Sequence, residues 1–193
     1  MQSFLISIDK ISNFFGKTSA WSILVMTAAI SYEVFARYVF RAPTTWAFDA
    51  SYILYGTLFM MAGGYAMARN GHVRGDFLYR NFSPRRQASL DLALWLLFFY
   101  PAMAAMMWMG WQFFLQSFAQ NERSAFSPFG PIIWPFKFLI PFVGAMMSLQ
   151  GLAEVIRCVL CIRDGQWPQR LHDVEEMEKL ILERAEAEAA ART

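Results

Sequence analysis

Charge is confined to short segments of this sequence, and the stretches between them are apolar enough to need lipid as their solvent. Residues 50–68 and 92–121 contain no Asp, Glu, Lys or Arg. A helix of about twenty apolar residues crosses the hydrocarbon core of a bilayer. The chain has 193 residues, 56% hydrophobic and 17% charged, and a soluble domain of that length has too little interior for so much apolar surface. The expected fold class is an all-α membrane protein. It has four transmembrane helices, an N-terminal amphipathic surface helix and a cytoplasmic C-terminal helical tail.

The interrupting residues set the boundaries. Phe4, Ile8, Ile11 and Phe15 recur at helical spacing, with Asp9, Lys10, Ser12 and Asn13 elsewhere, which predicts a helix lying on the membrane surface. The first span is expected from about residue 15 to 38. Pro43 breaks it, and Thr44 or Thr45 can cap the next helix. The second span is expected over 46–68, ended near Gly71. Ser83 and Pro84 read as an N-cap and first helical residue of a third helix over 84–117, with a kink expected at Pro101. The fourth is expected over 136–162, after a loop rich in Pro, Ser and Phe. Residues 1–168 thus form the membrane domain and 169–193 a charged cytoplasmic tail. The first long apolar run contains Glu33 and Arg37 and is not followed by a small-residue cleavage site, so a cleaved signal peptide is not expected.

Basic residues orient the spans. Lys10 and Lys17, then Arg69, Arg74, Arg80, Arg85 and Arg86, then Arg163 and Arg170 fall on one side of four spans, which makes both termini cytoplasmic. Trp46, Trp134 and Trp167 sit at span ends, where an aromatic belt belongs.

Few residues carry candidate chemistry. Glu33 and Arg37 lie four apart in the order that favours an intrahelical pair; ionisable groups in a span are functional candidates, and the competing reading is a structural pair or one pinning a partner chain. Asp49 and Asp91 lie near helix starts, where a carboxylate suits the dipole. Glu154 and Arg157 read as a structural pair. Gly56, Gly63 and Gly64 line one broad side of the second helix, where small residues let helix backbones approach. The histidines, His72 and His172, are in polar segments, whereas a membrane haem needs ligands inside its helices. Cys158 and Cys161 lack a second ligand pair for zinc. No cofactor or metal is expected, and no phosphate loop or nucleophile elbow points to an enzyme. A net charge of +2 is too small to suggest a nucleic-acid binder.

Three stretches together resemble the small membrane subunit, the Q subunit, of tripartite ATP-independent periplasmic (TRAP) transporters. These are 33–46, with Glu33, Arg37, Pro43 and Trp46; 71–78, with Gly71, His72, Arg74, Gly75 and Asp76; and 134–154, with Trp134, Pro135, Lys137, Pro141, Gln150, Gly151 and Glu154. The resemblance covers about residues 10–163. Phe48 departs from it, since many relatives carry a carboxylate beside the position of Asp49; the charged tail lies outside the pattern.

The resemblance implies a function that spacing alone does not. The chain would be an accessory subunit in a bacterial inner membrane, part of a sodium-gradient-driven importer of organic acids. Its partners would be a large multi-spanning permease (M) subunit, which it braces while an elevator domain moves, and a periplasmic substrate-binding protein. Glu33, Arg37, Trp46 and Asp49, with the glycines of the second helix, are the expected partner contacts. The arginines of the 69–87 connection are expected to meet lipid headgroups. A scaffold subunit of an unrelated membrane complex and a stand-alone small transporter are the alternatives.

Overall fold

A computed structural model describes residues 2–71, 79 and 82–168. The helical tail expected over 169–193 lies outside the described residues, as do His72, Arg74, Arg80 and His172.

Among the described residues six α-helices follow in chain order: α1 (Gln2–Ala20), α2 (Ser22–Tyr38), α3 (Ala47–Ala68), α4 (Pro84–Leu94), α5 (Tyr100–Ala119) and α6 (Trp134–Asp164). Only Trp21 separates α1 from α2, and a π-helical turn, Trp95–Phe99, joins α4 to α5. Among the described residues three continuous helical segments are long and apolar enough to cross a membrane: Gln2–Tyr38, Pro84–Ala119 and Trp134–Asp164. The 22 residues of α3 extend roughly 33 Å at 1.5 Å per residue, but its Asp49, glycines and hydroxyl-bearing residues dilute its hydropathy.

Helix ends fall where backbone chemistry puts them. Asn70 and Asn121 adopt left-handed φ values of 55° and 46°, and the amides that follow fold back: Gly71 donates to the Ala66 carbonyl at 2.8 Å and Glu122 to Ser117 at 3.0 Å. These 6→1 bonds close α3 and α5. Gly165, at φ 78°, closes α6 in the same region of conformational space. Ser83 and Pro84 occupy the N-cap and first position of α4 as the sequence predicts. The predicted cap of α3 is different: the N-cap is Trp46, with no side-chain bond, because Thr44 is engaged elsewhere.

The last helix is the hub. It packs on α1, α3, α4 and α5, whereas α2 packs chiefly on α3. Lipid tails supply no hydrophobic drive between membrane helices, so close van der Waals approach decides which faces meet. At Gly16 of α1 an added Cβ would lie 2.5 Å from the Cβ of Tyr65. Gly110, Gly144 and Gly151 likewise sit under Ile140, Met107 and Phe99.

The N-terminal helix departs from expectation. A surface helix would turn its Asp9–Ser12–Asn13 side to water, yet all three are buried, while Phe4, Ile11 and Phe14 are exposed. In lipid the outward face of a packed helix is the apolar one. The polar side of the amphipathic pattern is turned inward together with Leu5 and Ile8, and the apolar residues Phe4 and Ile11 are turned outward.

Candidate functional site

At one end of the bundle, carboxylates pin the two connections. Glu33, in the penultimate turn of α2, accepts hydrogen bonds through both oxygens. Oε1 takes Nε and Nη2 of Arg37 at 2.8 and 2.5 Å. Oε2 takes the Thr44 amide at 2.8 Å and also its hydroxyl. The i,i+4 pair is therefore present, and Thr44 ties the α2–α3 turn to it. Arg37 remains more than half exposed while Glu33 is largely covered, so the pair presents a cation outward. Arg41 holds this turn at φ 54°, a conformation costly for a residue with a Cβ, and the Ala42 amide closes it on the Ala36 carbonyl at 2.9 Å.

Asp49 sits in the first turn of α3 and is 1% exposed. It does not meet Arg37 or Arg41 in any described contact. Oδ1 accepts the Ser124 hydroxyl at 2.5 Å and Oδ2 that of Ser127. The helix dipole adds to the stabilisation of this carboxylate. The 120–133 connection is thus fastened to the start of α3. Its own ends pair as an antiparallel bridge, Arg123 with Ile132, and Phe126 lies against Phe48 and Tyr52, with ring centroids 6.0 and 5.7 Å apart. Phe48, where relatives are expected to carry an acid, is therefore part of an aromatic lid over this loop. Glu122 pairs with Lys137, whose hydrogen bond holds the Glu122 carboxyl below its ordinary value. The Lys137 ammonium also lies 3.8 Å from the Phe113 ring centroid, a cation–π contact.

Outside these pins the surface is apolar. Trp46 stacks on Tyr32 at 6.1 Å. From α2, Leu24, Val25, Tyr32, Phe35 and Tyr38 are all more than half exposed, and only Ala29 and Ala36 of that helix are buried. The second-helix glycines point the other way. Gly56 lies beneath Phe136 and Gly63 beside Met147, both on α6, and Gly64 borders a small internal space lined also by Ser12, Met61 and Val143.

Two open grooves flank α5 and the π-helical turn. One, of about 510 Å³, is lined by Ala104, Met107, Trp108, Trp111, Phe138 and Phe142 among others and presents apolar side chains only. The second, of about 550 Å³, contains one carboxylate, Asp91, which accepts the Tyr79 hydroxyl at 2.8 Å. Among the described residues no group of three His, Cys, Asp or Glu side chains converges as metal ligands.

Toward the opposite end, Arg69 lies over the Tyr65 ring at 4.5 Å and donates to Asn13 at 3.3 Å. Arg85 and Arg86 are exposed at the start of α4. Arg157 is fully buried between Asp9 and Glu154, each at 2.5 Å. Sequence reasoning paired Glu154 with Arg157 but missed Asp9, Ser124 and Ser127, because their partners lie more than seventy residues away.

A family model described as the DctQ component of tripartite ATP-independent periplasmic transporters matches residues 26–161. Comparison with curated proteins gives no match. The matched span runs from the second turn of α2 to the last turn of α6, so it covers both pinned connections and excludes α1.

Proposed function

Since the chain belongs to the DctQ component family of tripartite ATP-independent periplasmic transporters, we propose that it is the scaffold subunit that braces the large permease of such a system. The observation that carries this reading is α2. It is attached to the bundle chiefly through α3, turns a broad apolar face outward, and has its end fixed by the Glu33–Arg37–Thr44 contacts. A rigidly mounted apolar helix face with one cation at its rim suits permanent packing against another membrane helix. Glu33, Arg37 and Trp46 then form the rim of the partner contact, while Asp49, expected from the sequence to join them, is buried and supports that rim from within by holding the 120–133 connection. Gly56, Gly63 and Gly64 support it indirectly by bringing α3 close to α6.

In this reading the bundle crosses the inner membrane four times, as α1–α2, α3, α4–α5 and α6, with both termini in the cytoplasm. The large subunit imports organic acids, driven by sodium moving down its gradient, and a periplasmic binding protein delivers them. Arg85 and Arg86, with Arg74 and Arg80 of the connecting segment, meet anionic lipid headgroups. Arg69 shares that end of the chain.

Reconstitution into liposomes tests the reading. The chain is inserted with and without the large permease, in the presence of the binding protein and a sodium gradient. Uptake only when every component is present supports a bracing subunit. Uptake by this chain alone overturns it and favours a stand-alone transporter. A second measurement addresses the rim: Arg37→Ala is expected to lower co-purification with the permease, and a normal yield of complex removes Arg37 from the interface.

A further inference from the structure

The polar stripe of α1 is held inside the bundle by contacts that reach across almost the whole chain. Asp9 is 0% exposed, and its Oδ2 accepts Arg157 Nη2 at 2.5 Å. Gln150 donates to Asp9 Oδ1 at 2.9 Å and accepts the Ser12 hydroxyl at 2.8 Å. Glu154 and Arg157 lie three residues apart on α6, so their pair forms whether or not α1 is present. The bonds to Asp9 and Ser12 exist only when α1 is seated.

The opposite stripe of α1 carries Phe4, Ile11 and Phe14, all exposed. The helix is irregular once, at Trp21, where tighter contacts join the α-helical ones: Trp21 donates to Thr18 at 3.3 Å, and the Trp21 carbonyl accepts both Leu24 at 3.1 Å and Val25 at 3.4 Å. Such a helix has two positions with similar apolar environments. Seated, its polar stripe meets Arg157 and Gln150. Rolled out on the bilayer surface, the same stripe meets water and headgroups, while Phe4, Ile11 and Phe14 stay in lipid in both positions. Leu5 and Ile8 would exchange protein contacts with Leu149, Ala153 and Ile156 for lipid tails of equal apolarity. Beyond the close fit of Gly16 on Tyr65 of α3, which seating also supplies, the polar contacts add the remaining bias, and the pairing of Asp9 with Arg157 is the one between opposite charges.

We propose that α1 is a two-position strap, hinged at Trp21 and held in the bundle by the Asp9–Arg157 contact. Release of the strap bares the face of α6 that carries Gln150, Ala153 and Arg157. A strap of this kind makes the shape of the cytoplasmic half of the bundle depend on one buried charge pair.

Cysteine cross-linking of the full chain in membranes tests this, with Cys158→Ala and Cys161→Ala removing the native thiols. Ile8→Cys with Ala153→Cys reports the seated strap. Gly110→Cys with Ile140→Cys reports the α5–α6 packing, to which α1 contributes no described contact. Both pairs are expected to cross-link when Asp9 is intact. Asp9→Ala is expected to lower the first yield about tenfold or more and to leave the second unchanged. Asp9→Arg combined with Arg157→Asp is expected to restore the first. An unchanged first yield in Asp9→Ala would mean that apolar packing alone seats α1, and overturns the proposal. Loss of both cross-links would make the contact a strut of the whole fold and also overturns it. Failure of the exchanged pair to recover removes the charge pairing as the latch.

Discussion

Replacing Asp49 by alanine removes the acceptor of two hydroxyl groups at once. Ser124 and Ser127 both donate to it, and a hydrogen bond to a charged group contributes about 1.5–3 kcal/mol. Asp49→Ala is expected to free the 120–133 connection, read as faster proteolysis between α5 and α6, whereas Ser127→Ala should do so more weakly. Equal cleavage of all three proteins would show that the aromatic contacts of Phe126 hold the loop unaided. Glycines make a second residue-scale contrast. Gly16 and Gly64 are both small residues in apolar helices, and the sequence singled out only Gly64. An added Cβ at Gly16 collides with the Cβ of Tyr65, while at Gly64 it meets nothing within 4 Å. Overpacking costs about 1–3 kcal/mol, whereas a fitted Gly→Ala change in a helix gains up to about 1 kcal/mol. Gly16→Ala should therefore lower the melting temperature in detergent and Gly64→Ala should hold or raise it. The opposite order would mean that α1 and α3 are not in the close contact described.

Whole elements were easier to read from the sequence than the sides they turn inward. Pro84, Pro43 and the polar run after Ala68 mark ends because proline cannot donate and polar residues cannot stay in lipid unpaired, and the helices begin and end within a few residues of those marks. Inward-facing sides depend on partners that are distant in sequence. Amphipathicity in α1 identified two stripes, and only packing against Gln150 and Arg157 shows that the polar one is inside. Pro101 marked a kink; the irregularity observed is a π-helical turn over Trp95–Phe99, just before it. The missing Pro101 amide and the longer-range bond from Tyr100 to the Trp95 carbonyl are two aspects of one disturbed turn. The loop elements allow a pH test. Pairing with Lys137 lowers the Glu122 carboxyl below its ordinary value of 4.5. A carboxyl depressed in the folded state stabilises it fully above the unfolded value and ceases to do so as pH falls through the folded one. The difference in melting temperature between the wild type and Glu122→Gln should thus be constant from about pH 6 to 8 and shrink below about pH 4.5. A difference that grows in acid would mean that the ion pair does not form.

The number of spans is a property of the whole molecule, and α3 decides it. Hydropathy selects three segments and passes over α3. Contacts at its two ends argue that it nevertheless runs the length of the bundle. Its start is bonded to the 120–133 connection through Asp49 and Ser124, and its end lies beside α1, where Arg69 donates to Asn13. The α2–α3 turn and the 120–133 connection are therefore at the same end. If α3 did not cross the membrane, those two connections would have to lie on opposite sides, because only α4–α5 would separate them. Single cysteines at Phe40 and Phe129, both strongly exposed, distinguish the two cases, with the buried Cys158 and Cys161 replaced by alanine. In intact cells whose outer membrane admits a small, inner-membrane-impermeant maleimide, both positions should be labelled, while Arg86→Cys should react only after the inner membrane is opened. Labelling of Phe40→Cys without Phe129→Cys would mean three spans. It would also require the Asp49–Ser124 contact to be absent in the membrane, since one bond cannot join groups on opposite sides of a bilayer.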